Sequence, residues 1–304
     1  MKRYSWSSLL TLAVLLFLTA SCIHEDNSDC PPEKVRVYFS YRTTYSPSVI
    51  DPTVIERIDL FVFDRTGNYL GQWTDYEAQL SPSYYMELPL AYGDYRIVCW
   101  AGLHESSYTL NHDQTIPFEE SLLALQRTEQ QTVEHIPTHL FHAMEAQAMV
   151  DRPDCHFTLA IQQLTNSIDV TTEGLETSDK TYRLSIRDTN GDYQFDASPA
   201  ADCGVLDYIQ TCAKDDDSQP YACLRVMALS EQRPTPVLRL TDITDDKVLY
   251  EANLIKLILK LRDQGATVDF ENIHEYQIHL RFNTEMGVEV SINGWDLNNT
   301  ETEL

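Results

Sequence analysis

Apolar and polar residues alternate with a period of two along much of this chain. In residues 35–41, Val35, Val37, Phe39 and Tyr41 fall on one side and Arg36, Tyr38 and Ser40 on the other. That is the pattern of a strand with one buried face. The same alternation runs through 156–162, 182–187, 276–282 and 288–292, and denser apolar runs at 55–63, 84–88, 95–100, 221–229 and 237–240 predict further strands. The run Asp64-Arg65-Thr66-Gly67-Asn68 leads into Tyr69-Leu70-Gly71-Gln72-Trp73 and reads as a hairpin turn. Turns are also expected at Tyr92-Gly93-Asp94 and across 188–192. Two windows carry helical spacing. One is 118–128, with an acidic first turn; the other is about 251–263, where Leu254, Leu257, Ile258 and Leu261 recur and Gly265 follows.

Many short strands with only two modest helices predict an all-β fold with minor α, built as two tandem antiparallel β-sandwiches. One-sided alternation argues against a parallel sheet buried on both faces. The segment 137–150 reads as irregular chain entering a strand. Asp151-Arg152-Pro153-Asp154 is the candidate break, dividing an N-terminal sandwich (34–150) from a C-terminal one (151–304). A single continuous sandwich is the alternative.

The start of the chain follows a different pattern. Lys2 and Arg3 precede an apolar run over 9–20, and Thr19-Ala20-Ser21 leads to Cys22. A charged start, a dozen apolar residues and small residues before a cleavage point make a secretory signal, too short to span a bilayer. The Cys after three small residues resembles a bacterial lipobox, with residues 1–21 removed and lipid placed on Cys22. An ordinary signal peptide cut near Ala20 is the alternative. Residues 22–33 then form an acidic tether with Glu25, Asp26 and Asp29, ending in Pro31-Pro32. Acidic residues just after the Cys look like a surface-export signal.

Charge narrows the function. Removing 1–21 lowers the basic count from 22 to 20 against 47 acidic residues, so the formal charge moves from −25 to about −27. Such a chain is unsuited to nucleic acid, whose phosphates require Lys and Arg clusters, and to an anionic membrane surface. Lipidating Cys22 leaves Cys30, Cys99, Cys155, Cys203, Cys212 and Cys223. In an exported chain these six allow disulfides in any of 15 pairings, or several buried free thiols. No Cys-x-x-Cys is present, so a structural zinc site is not expected.

Catalytic signatures are missing. The sequence holds no Gly-rich phosphate loop and no Gly-x-Ser-x-Gly. His135, His139 and His142 have spacings that a helix would gather for zinc, but Pro137 interrupts that helix. Asp188, Asn190 and Asp192 suggest a calcium loop only superficially, because the remaining EF-hand positions do not follow. Asp215-Asp216-Asp217 reads as a solvated loop. The expectation is therefore no enzyme, no cofactor and no metal.

Several pieces together resemble the FimB-type anchor lipoproteins of Bacteroidales fimbriae (type V pili). They are Cys22 to Cys30 with Asp29-Cys30-Pro31, the run Arg57-Ile58-Asp59-Leu60-Phe61-Val62-Phe63-Asp64 with Gly67, and residues 92–103. Leu164-Thr165-Asn166-Ser167-Ile168 and Ile292-Asn293-Gly294-Trp295 also match. The resemblance implies two transthyretin-like β-sandwich domains and a lipid anchor in the outer membrane. It also implies fimbrial shaft subunits (pilins) as partners and a non-enzymatic role in holding a pilus and limiting its length. In that family, polymerising subunits lose their N-terminal strand to an arginine-specific protease, which opens a groove for a neighbour's strand. Here cutting after Arg42 would separate the fold from its anchor. The first strand is therefore expected to stay in place, leaving the second domain or the C-terminal tail to meet the pilus. A surface lipoprotein that binds glycans or host ligands independently of fimbriae is the competing reading.

Overall fold

The computed structural model describes residues 33–41, 55–283 and 287–297. Its first strands are β1 (Glu33–Tyr41), β2 (Ile58–Asp64), β3 (Tyr69–Asp75), β4 (Tyr85–Leu90) and β5 (Gly93–Ala101). Three short strands follow, β6 (Tyr108–Asn111), β7 (Leu122–Leu125) and β8 (Thr132–Val133), and then β9 (Phe141–Val150) and β10 (His156–Gln163). The C-terminal half contributes β11 (Thr165–Glu173), β12 (Tyr182–Asp188), β13 (Asp192–Gln194), β14 (Leu206–Thr211), β15 (Ala213–Lys214) and β16 (Pro220–Met227). It ends with β17 (Val237–Asp242), β18 (Lys247–Asn253), the helix α1 (Leu254–Asp263), β19 (Glu275–Phe282), β20 (Val288–Ile292) and β21 (Trp295–Leu297). The protein is all-β with minor α.

Seven strands form the first sheet, in the order β3-β2-β5-β9-β10-β1-β4. One core draws on every layer of it: Val35 and Val37 from β1, Leu60 and Val62 from β2, Leu88 from β4, Cys99 from β5, Ala143 from β9, and Leu159 and Ile161 from β10. Among the described residues, none of the C-terminal sheets joins that core, so the sheet covers its own apolar face by folding over. The fold line lies at β9–β10, which pair only at Gln162↔His142 and Gln163↔Phe141.

The C-terminal half builds a six-stranded sheet, β15-β16-β11-β19-β20-β21, and a five-stranded one, β18-β17-β12-β14-β8. Leu184, Ile186, Leu224, Val226, Leu240, Ile278 and Leu280 meet in a second core. A three-stranded sheet, β13-β7-β6, joins this core to the back of the first sheet. That is why β2 is buried on both faces: Ile58, Leu60 and Val62 point into the first core, Phe61 and Phe63 into the second.

Three pairings depart from the antiparallel rule: β1–β10, β11–β19 and β8–β14 run parallel. In each case the partners are far apart in sequence, so no tight hairpin dictates their direction. The turn expected to separate two sandwiches, Asp151 to Asp154, joins β9 to β10 inside the first sheet. The chain passes to the C-terminal sheets at Leu164, between β10 and β11.

The helix expected at 251–263 is α1. Asn253 caps it by accepting from the Lys256 N–H at 2.9 Å, and Leu254, Ile255, Leu257, Ile258 and Leu261 face the core. Its start lies later than expected because 247–253 belongs to β18. The other expected helix, 118–128, does not form. Phe118–Glu120 makes one 3-10 turn, and Leu122–Leu125 is β7, which sends Leu123 and Leu125 inward. A four-residue apolar run does not by itself separate helix from strand. Here pairing with β6 and β13 decides it.

Candidate attachment site

β1 lies inside the first sheet, not at its edge. It pairs in parallel with β10 over Arg36↔His156 to Tyr41↔Ile161, and antiparallel with β4 over Glu33↔Leu90 to Tyr38↔Tyr85. Val35 and Val37 are 0% exposed. On the outer face Arg36 stacks 5.2 Å over the Tyr85 ring, Tyr85 lies 5.4 Å from Tyr38, and Tyr38 meets His156 edge-on at 6.1 Å. Lys34 reaches Glu87 at 3.1 Å. Removing β1 would strand the backbone groups of both neighbours and open the core between β4 and β10.

The outer edges differ in how they meet solvent. β4 carries Pro89, which has no N–H to offer, and the ion-paired Glu87, two devices that discourage strand addition. β21 closes the C-terminal sheet after a two-residue turn at Asn293 and Gly294, with φ 50° and 80°, the geometry of a type I′ hairpin. The Asn293 side chain holds this turn against β19 by accepting from the Gln277 N–H at 2.7 Å. Trp295, on this edge strand, is 44% exposed.

Cys22 and Cys30, like the C-terminal tail from 298, lie outside the described residues. Cys99, Cys155, Cys203, Cys212 and Cys223 are all free thiols. Burial pushes Cys212 up to about 11, and burial, with Asp169 alongside, pushes Cys223 to about 12, so these sulfurs stay protonated and unreactive at neutral pH.

The three histidines do not converge on one point. His142 is buried on β9 beside Trp100, and its Nε2–H donates to the Phe195 carbonyl at 2.9 Å. His139 sits near Gln163 and Thr165. Burial lowers both to about 4, so they are neutral at pH 7. Among the described residues no three His, Cys, Asp or Glu side chains group to hold a metal.

The sequence Asp188, Asn190, Asp192 is likewise not a calcium loop. Asp188 accepts from Thr235 Oγ1 at 2.6 Å and from Arg233 at 3.3 Å. Asn190 accepts from Tyr208 at 2.9 Å and donates to the Met227 carbonyl at 3.1 Å. Asp192 takes a bidentate pair from Arg127 at 2.8 and 2.9 Å. Asp215 folds back on its own loop, accepting from Asp217 and Gln219 backbone N–H groups.

Buried polar residues escaped sequence reasoning. Asp59 is fully buried and accepts from Arg57 twice, Gln72 and Thr74. Asn166 is also buried and accepts from the Leu229 N–H at 3.0 Å. A polar residue inside an otherwise apolar run, as in Ile58-Asp59-Leu60, was the available signal.

This arrangement, a first strand locked between two neighbours and titratable groups tied up in structure, is that of a β-sheet scaffold. The chain belongs to the family of fimbrillin-A associated anchor proteins Mfa1 and Mfa2, whose model matches residues 27–301. It is a family of fimbrial anchors, not of enzymes. Among its relatives is the minor fimbrium anchoring subunit Mfa2 of Porphyromonas gingivalis, 23% identical, with 94% of this chain and 92% of that protein covered. The solved structure of Mfa2, the fimbrial anchor protein of P. gingivalis, superposes with a TM-score of 0.75 at 19% identity, covering 89% of this chain and 100% of that one. A Bacteroides thetaiotaomicron structure, named for suspected polysaccharide binding, gives 0.78 at 21% identity over 88% and 98%. At these identities the two superpositions speak for the fold.

Proposed function

We propose that this protein is an outer-membrane lipoprotein, acylated at Cys22 and exposed on the cell surface, that anchors a fimbria and limits its length. The observation that carries the reading is the place of β1, buried between β4 and β10 and joined within a few residues to the tether that begins at Cys22. A subunit whose first strand is held this way has no groove to offer a neighbour's strand, so assembly stops at it. Load from the fimbria passes into the lipid through β1. Fimbrial shaft subunits then meet the C-terminal sheets or the tail beyond β21.

The test is to purify the protein with its fimbriae and sequence its N-terminus. The expected mature end is a blocked, acylated Cys22, and a form beginning near Thr43 defeats the proposal. Fractionation beside Cys22→Ala should move the protein from membrane to soluble fractions. The name of the B. thetaiotaomicron relative keeps one rival in play, a free glycan-binding adhesin. Deleting the gene separates the two: shed or overlong fimbriae support the anchor, and normal fimbriae with lost glycan binding support the adhesin.

A further inference from the structure

One end of the first sheet gathers features that its outline alone does not require. The start of β1 lies level with the end of β4, because Glu33 pairs with Leu90. The β4–β5 connection at Ala91 and Tyr92, the β9–β10 turn at 151–155 and the β2–β3 turn at 64–68 reach the same end. Gly93 pairs with Val150, and Asp64 with Tyr95. Large apolar side chains stand out there: Met149 is 57% exposed, Leu70 49% and Tyr92 48%.

Arginines stand among the carboxylates at this end: Arg96 pairs with Glu119 at 3.3 Å, and Lys34 and Arg36 share Glu87 at 3.1 and 3.7 Å. Asp64 is further satisfied within its own turn by Thr66 and Asn68. A cavity of about 520 Å³ opens beside it, lined by Arg65, Asp94, Tyr95, Arg96 and Met149 among others.

The tether says what faces this end. Glu33 follows Cys22 by 11 residues. That length spans at most about 36–40 Å. A lipid on Cys22 therefore holds this end, where the tether joins the fold, within reach of the headgroups at an effective concentration of order millimolar. Weak contacts suffice under that condition. Apolar tips with Tyr and Arg around them suit the boundary between headgroups and acyl chains.

We infer that this end of the first sheet, with the exposed Leu70, Tyr92 and Met149, docks on the lipid surface that holds its anchor and sets the protein upright there. The inference rests on acylation at Cys22. The experiment places an environment-sensitive probe at Met149→Cys, or at Val248→Cys on edge strand β18 as a distant control. The full-length acylated protein is reconstituted in phosphatidylcholine vesicles whose acyl chains carry bromine. Each signal is read above that of the parent protein, which has its own half-buried thiols.

The expected result is strong quenching at 149 and none at 248, unchanged by added salt and lost in the Tyr92→Asp and Leu70→Asp double variant. Acylated, vesicle-bound protein whose 149 probe stays unquenched overturns the docking alone. Protein that mass spectrometry shows to carry no acyl group overturns both the docking and the anchor reading.

Discussion

Phe195 is the residue by which the two groups of sheets hold together, and its removal should be costly. It follows β13 in the C-terminal half yet is fully buried against the back of the first sheet. Its ring lies 5.1 Å from Phe61, 6.0 Å from Phe63, 6.1 Å from Trp100 and 5.1 Å from His112. Its carbonyl takes the His142 Nε2–H. Phe195→Ala leaves the backbone bond in place and deletes the ring. A buried Phe→Ala change costs about 3–5 kcal/mol, transfer and cavity terms together, and the edge-to-face partners place this site at the upper end. Against a total stability of about 5–15 kcal/mol, that is a large share. In a chain of this size the melting temperature should fall by roughly 6–20 °C.

The assay is urea unfolding of the mature chain in a Trp73→Phe, Trp295→Phe background, followed by the fluorescence of Trp100, which sits in this junction, and by far-ultraviolet dichroism. The wild type should lose both signals together. In the variant the Trp100 transition should come first, because the part of the second core that meets the first sheet opens before the rest melts. A loss below about 1 kcal/mol, or transitions that still coincide at the wild-type midpoint, would refute the claim that this ring joins the halves.

Other consequences are as specific. Asp59→Ala removes the acceptor of four hydrogen bonds and leaves Arg57 half-buried without its partner, so thermal unfolding should show a loss of about 3–5 kcal/mol. Gly102 has φ +77°, and a Cβ there would lie 2.0 Å from the His139 carbonyl oxygen. Gly102→Ala should therefore destabilise by more than about 1 kcal/mol, read as an earlier urea midpoint. His142 falls to about 4 in the folded protein against about 6.5 unfolded. The unfolded chain binds the extra proton between those values, so stability should decline as pH drops from 6.5 to 4, by up to about 3 kcal/mol. His139, lowered to about 4 as well, adds a like decline, so His142→Phe should remove about half of the pH dependence of urea midpoints measured across that window.

Much of the fold was legible because one-sided alternation is a direct record of which face meets water. β1, β10, β12, β19 and β20 fall where alternation put them. β14 and β18 were not foreseen: Leu206 to Thr211 carries one clear apolar alternation, and 247–253 merges into the helical run that follows. The 118–128 window failed because Leu122, Leu123 and Leu125 fit either period, and only partners distant in sequence select the strand. The same limit hid the parallel partner of β1, since 120 residues separate Arg36 from His156. As for the candidate site, the tethered first strand could be read from the sequence. Its central position could not, because strand order is set by tertiary packing.

That central position gives the proposed anchor its mechanical sense. A fimbria pulling on the C-terminal sheets against a lipid at Cys22 loads β1 from its N-terminal end, along the strand axis. β1 is bonded on both sides, in parallel to β10 and antiparallel to β4, so the load falls on both ladders in shear and no single bond can open first. At an edge, the same strand would be held by one ladder instead of two. Forced release follows the unfolding rate, not the equilibrium stability, and shearing two ladders while drawing Val35 and Val37 out of a closed core raises that barrier. Val37→Gly, by weakening strand and core together, should therefore shorten the lifetime of the tethered protein under constant force far more than an equally destabilising change in the C-terminal core, such as Leu240→Ala. Equal lifetimes for the two in single-molecule pulling between Cys22 and the C-terminal sheets would show that β1 does not bear the load.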